Sequence, residues 1–202
     1  MQGLIGIIAF RTPLEGDPRF VEDGVAYWFP PFVRTLLEGE RAGPLIETFR
    51  RGGLPIARHD GIAAVSGFGA AVLEAHMAAL ELEGWSFAAA RRGRWMAVAS
   101  RASRELAEVA ARIVGRRPPS ALSLVSPAAS ALLSSGARAV MPFDVEAYLR
   151  AHFTKVGPQT LAYFDSALRE AHGLPMDAVE ELVAGLRAIR PDSNYTGTER
   201  TP

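Results

Sequence analysis

Cysteine is missing from this chain altogether. Its absence rules out disulfides, thiolate metal sites and a cysteine nucleophile together, and suits a reducing, cytoplasmic home. An excess of either charge is missing too. Lys+Arg and Asp+Glu number 22 each, for a formal net charge of +0, so no global field draws the chain to nucleic acid or to an anionic membrane. The segment from Met1 to Phe10 has no basic stretch and too few apolar residues for a signal peptide or a membrane span; it reads as a buried strand. There is no Gly-x-Ser-x-Gly elbow for a serine nucleophile. His59, His76, His152 and His172 lack metal-ligand spacing, so no metal is expected. No internal repeat is visible.

What the chain does have is apolar residues, 49% of the total, enough for a substantial core. The front reads as strands and turns. Leu4 to Phe10 is a continuous apolar run, residues 12–17 and 22–24 carry turn signals, and Val25 to Phe29 is aromatic and strand-like. Thr35 to Leu37 is a third short strand; Pro44 sits in the first turn of a helix that Gly52-Gly53 stops, and Leu54 to Ala57 is a last strand.

From Asp60 onward the pattern is helical. Asp60 is the expected cap of a long helix to about Glu83. Within it, Gly61 to Leu82 is apolar enough to consider as a membrane span, but Glu74, His76, Glu81 and the interrupting glycines favour a buried helix of a helical domain. Trp95 to Val114 is amphipathic, with Met96, Val98 and Ala99, then Leu106, Val109, Ala110 and Ile113 on its apolar stripe. Its arginines, with Arg91 and Arg92 before it, read as a solvated helix start. Leu122 to Leu133 is a shorter helix broken near Pro127; Asp144 caps another through about Phe153. Gly157-Pro158 opens a helix that ends at Gly173, and Asp177 to Ile189 is the last. The fold class expected is mostly α, a helical domain (60–189) behind a short α/β piece (1–59), with a polar, disordered tail (190–202).

Two stretches invite chemical readings. Gly67-Phe68-Gly69-Ala70-Ala71-Val72 has the look of a nucleotide-binding loop, but its glycines lie inside a helical pattern with no strand before them, so helix packing is the better account and no cofactor is assigned to it. The stretch from Asp144 to Thr160 crowds Arg150, His152, Thr154, Lys155, Gln159 and Thr160 around the break at Gly157-Pro158. Polar groups beside a fresh helix N-terminus could receive a carboxylate; the plainer account is a helix–turn–helix with a capping threonine. Glu74, on an apolar helix, is either a carboxylate perturbed by burial or a solvent-facing one.

The run YLRAHFTKVGPQT…LREAHGLP, Tyr148 to Pro175, resembles the C-terminal helical domain of the ketopantoate reductase (2-dehydropantoate 2-reductase) family. The front agrees: GDPRFVEDGVAYWF (Gly16 to Phe29) and LIETFRRGGLPIARHDGIAAV (Leu45 to Val65) resemble the end of that family's Rossmann domain and the entry into its second domain. The resemblance covers about residue 3 to residue 189. It implies an NADPH-dependent reductase of small 2-oxo acids in pantothenate biosynthesis, with a helical substrate-binding and dimerisation domain and an active site between the domains. The family's glycine fingerprint has no counterpart here. Its catalytic lysine position falls on Ser66 and the preceding tryptophan on Ala64; two asparagines fall near Ala70 and Glu74, and a late carboxylate near Gln159. Serine is far too weak an acid to protonate an alkoxide, and without a loop to orient the hydride donor the positioning is missing. The expectation is a helical substrate-binding and dimerisation module, catalytically incomplete alone, with Lys155, Gln159, Thr160, His152 and Glu74 as substrate-binding residues. Alternatives are a fragment or subunit of an NADPH-dependent 2-oxo acid reductase that meets its Rossmann half as a partner, and a non-catalytic carboxylate-binding scaffold.

Overall fold

A computed structural model describes residues 2–4, 8–10, 26–30, 33–129, 136, 141 and 143–190. Among these residues the chain is mostly helical, and the short strands lie on the N-terminal side. The chain divides into two compact units, residues 1–66 with 141–143, and residues 67–140 with 144–202.

The first unit is built on a strand–helix–strand core. Strand β4 (Thr35–Glu38), helix α1 (Ala42–Arg51) and strand β5 (Ile56–Arg58) follow in sequence, and β4 and β5 pair in parallel with Thr35 opposite Ile56. Parallel neighbours need such a crossover. Helix α1 turns Ala42 and Ile46 onto Ile56, with Leu37 and Leu54 packed around them. The Gly52-Gly53 stop takes effect as expected, Gly53 at φ +83. Strand β1 (Gln2–Leu4) adds antiparallel to the other side of β4, while β2 (Ile8–Phe10) and β3 (Ala26–Trp28) form a separate antiparallel pair.

The two described ends of the run from Leu4 to Phe10 belong to different sheets, Leu4 closing β1 and Ile8–Phe10 forming β2, while residues 5–7 lie outside the described residues. Apolar composition marked the region; main-chain pairing sets its limits. Asp60 does not cap the long helix. The carboxylate of Glu38, at the end of β4, accepts from the Gly61 and Ile62 N–H groups at 3.0 and 2.8 Å. A carboxylate on those orphan donors is favoured by both hydrogen bonding and the helix dipole.

That helix, α2 (Ile62–Leu82), begins in the first unit and runs on into the second. It is long and apolar enough to cross a membrane, with a hydropathy of 1.4 over a window that is 39% buried. A core helix passes the same test. Ala71, Ala75, Ala78, Ala79 and Leu80 are buried, whereas Val65, Gly69 and Leu73 are exposed. The helix is thus buried on one side, not all round.

The second unit continues with α3 (Phe87–Ala90), α4 (Trp95–Val114), a short 3-10 turn (Ser120–Leu124), α5 (Val145–Lys155), α6 (Gly157–Glu170) and α7 (Asp177–Ile189). Leu80, Leu106, Phe164, Val179, Leu182 and Leu186 are its fully buried centre. Helix α7 packs most heavily on α4. The approach is close enough that a Cβ at Gly185 would meet Trp95 at 2.8 Å and Leu82 at 3.1 Å. Asp144 caps α5 as read, accepting from Ala147 N–H at 3.0 Å. Ile113 departs from the expected stripe and is 66% exposed, although Ala111 in the same last turn of α4 is buried. The helix read at 122–133 is a 3-10 turn in its first part; residues 130–133 lie outside the described residues, as do the turns at 12–17 and 22–24 and the tail beyond 190.

Candidate functional site

The break between α5 and α6 is one residue, Val156, followed by Gly157 and Pro158 in the first turn of α6. Proline fits there because its missing N–H would have had no helical partner. One turn later Thr160 faces inward, 5% exposed. Its hydroxyl donates to Glu74 Oε2 on α2 at 3.0 Å. Two residues singled out in the sequence, 86 apart, therefore meet as a hydrogen-bonded pair.

Burial pushes the Glu74 carboxyl above its ordinary value of 4.5, against the lowering effect of the Thr160 hydroxyl and of His152. The solvent-facing alternative for Glu74 is therefore set aside: the side chain is half-buried and perturbed by desolvation. Beside it lies Tyr163, one helical turn beyond Thr160 on α6. Its phenol is pushed up to about 12, by burial first and by the Glu74 charge second. Tyr163 thus stays a neutral donor and acceptor at any ordinary pH. Helix α5 supplies a further layer. The His152 ring is exposed and stacks on Tyr148, centroids 5.7 Å apart, and meets Phe153 edge-on at 5.0 Å.

Lys155 and Gln159 take a different position. Both are exposed, at the end of α5 and in the first turn of α6, and among the described residues neither side chain makes a hydrogen bond or ion pair. Ser66 is likewise exposed, on α2. The glycine-rich stretch Gly67 to Val72 lies wholly within α2, and a Cβ at Gly67 would touch Ala110 at 3.4 Å. Its backbone N–H groups are engaged along the helix, so this segment does not fit a dinucleotide pyrophosphate.

Other polar groups are committed elsewhere. The His76 Nδ1–H donates to the Val72 carbonyl at 2.8 Å, and burial holds its pKa below 6.5. Ser103 donates to the Ala99 carbonyl at 2.8 Å and stands 3.5 Å from the same His76 nitrogen. A nitrogen that carries a proton cannot act as base towards that serine, so the two do not form a nucleophilic dyad. Among the described residues no three His, Asp or Glu side chains converge as metal ligands.

Sequence reasoning did not find Tyr163, though its spacing from Thr160 puts both on one helical face. It also missed Arg190, which was assigned to the tail. Arg190 pairs with Glu81 on α2 through both carboxylate oxygens, the two side chains being 15% and 11% exposed. Nothing local signals a pair 109 residues apart.

No protein-family profile matches the chain, and no curated protein and no solved structure matches it either.

Proposed function

We propose that this chain is a ketopantoate reductase-like helical module that binds a small 2-oxo or 2-hydroxy acid and does not reduce it alone. One observation carries most of the weight: the hydrogen bond between buried Thr160 and half-buried Glu74, next to the neutral phenol of Tyr163. A carboxyl biased towards its protonated form, a hydroxyl and a phenol offer donors and acceptors for the carboxylate and adjoining oxygen of such an acid. The exposed Lys155 ammonium, at the end of the neighbouring helix, adds an attraction for the anion. Ser66, at the position where the resemblance expects a lysine, supplies no comparable acid, and Gly67 to Val72 does not fit NADPH. Hydride transfer in the family also calls on a Rossmann half, which in this reading is a partner's or another segment's contribution. The dimerisation role that the resemblance attaches to the helical domain belongs to the same proposal.

The test is calorimetry and thermal unfolding of the full chain with pantoate and ketopantoate. Pantoate at 100 times its Kd is expected to add about 2.7 kcal/mol of stability. Thr160→Val is expected to weaken binding about tenfold, the scale of one lost hydrogen bond. No heat and no rise in Tm with either acid at millimolar concentration overturns the binding role. NADPH-dependent turnover by the chain alone overturns its catalytic incompleteness.

A further inference from the structure

Arg190 lies just past the end of α7, yet its guanidinium reaches the start of α6. Any Cβ on the buried Gly157 would overlap it. The same guanidinium is held by both oxygens of Glu81, largely out of solvent. Three elements therefore meet at one charge pair: α2 through Glu81, the α5–α6 break through Gly157, and the end of α7 through Arg190. Glu81 lies seven positions after Glu74 on α2, so both recur on one side of that helix. Gly157 lies three positions before Thr160 on α6. The clamp and the candidate site are thus adjacent layers of the same two helices.

We infer that Arg190 is a positioning residue: through its ion pair with Glu81 it holds the α5–α6 break, and with it Thr160, against α2. The glycine leaves room for this, since a Cβ at 157 would overlap the guanidinium unless it shifted. A buried pair of this kind is poor evidence for extra stability, because desolvation offsets much of the attraction. Its better-supported use is to fix one arrangement, here the register of the break. The planar fork of arginine suits that role and a lysine ammonium does not reproduce it. As a role for the acid-binding site the inference rests on the function proposed above; as a statement about the break it does not.

Residue-resolved amide exchange of the full chain separates the two. Arg190→Gln is expected to speed exchange at Gln159, Thr160 and Leu161 by at least about tenfold while leaving Leu106 on α4 unchanged. Arg190→Lys should do nearly the same, and Gly157→Ala, which displaces the guanidinium without deleting it, is the second variant should the first fail to fold. Arg187→Gln is the control. It breaks an exposed pair with Asp165 across the same helices α6 and α7, and should change neither site. Unchanged exchange at 159–161 overturns the inference, as does a uniform rise across α4 and α6, which would mark a merely structural pair. Weaker pantoate binding alongside local loosening supports both proposals. Local loosening in a chain that binds no pantoate supports the clamp and removes the acid-binding reading.

Discussion

Glu74 has to ionise against its surroundings, and this makes the residue measurable. Burial raises its folded pKa above the ordinary 4.5. A carboxyl raised in this way contributes stability that is fully present below the unfolded value and lost as pH rises through the folded one. Glu74→Gln keeps the shape and a hydrogen-bonding partner for Thr160 but never ionises. The variant should therefore match the parent in urea denaturation at pH 4 and become progressively more stable than it as pH rises to 7. A difference independent of pH, or of opposite sign, would mean that the carboxylate is better stabilised than its burial suggests. Both members of the pair stood out in the sequence, Glu74 as a charge on an apolar helix and Thr160 as part of a polar cluster at a helix break. That they bond to each other was not legible, because a pairing across 86 positions follows from how α6 lies on α2. Lys155 and Gln159 came from the same cluster, and side-chain direction separates them: Thr160 turns inward while Lys155 and Gln159 are exposed.

Helices were the legible elements. Trp95–Val114 and Asp177–Ile189 have the limits that their periodicity and flanking residues indicated, and the local cap Asp144 acts as read. Strands were less so. Pieces of three or four residues carry too little alternation to fix their ends, and pairing decides them. What local sequence could not show is how other helices are capped. Glu38 accepts from the start of α2. Glu146 accepts from Phe87 N–H at 2.6 Å at the start of α3. Glu105 on α4 accepts from Ala178 and Val179 N–H at 3.1 and 3.0 Å at the start of α7. Each time a carboxylate from a distant element satisfies orphan donors, so a helix start is also a tertiary contact. Glu105→Ala should then cost about 1.5–3 kcal/mol, the range for hydrogen bonds to a charged group, more than an exposed local cap would. Urea denaturation gives the total, and exchange at Ala178 and Val179 should rise first. A cost below about 0.5 kcal/mol, the level of an ordinary surface substitution, would show that water replaces the carboxylate without penalty.

At the scale of the whole molecule, each unit has buried apolar residues among the described ones. The second holds an extended centre in which Leu106, Phe164, Leu182 and Leu186 are fully covered. Around helix α1 of the first, the described cluster is small: Ala42, Ile46 and Ile56, with Leu37 and Leu54 partly buried against them. Apolar burial is the main favourable term in folding, and small cores leave little margin over the entropy of ordering the chain. The amides of β4, α1 and β5 should accordingly exchange through openings of lower free energy than those of α4 and α7. Two truncations test this. Ile46→Ala and Leu182→Ala each remove a buried aliphatic side chain, a change that typically costs about 2–5 kcal/mol. Ile46→Ala should accelerate exchange in β4, α1 and β5 while leaving Leu106 and Val179 protected. Leu182→Ala should lower protection throughout α4, α6 and α7. Equal loss of protection at Leu106 from both variants would show that the chain unfolds as a single cooperative body.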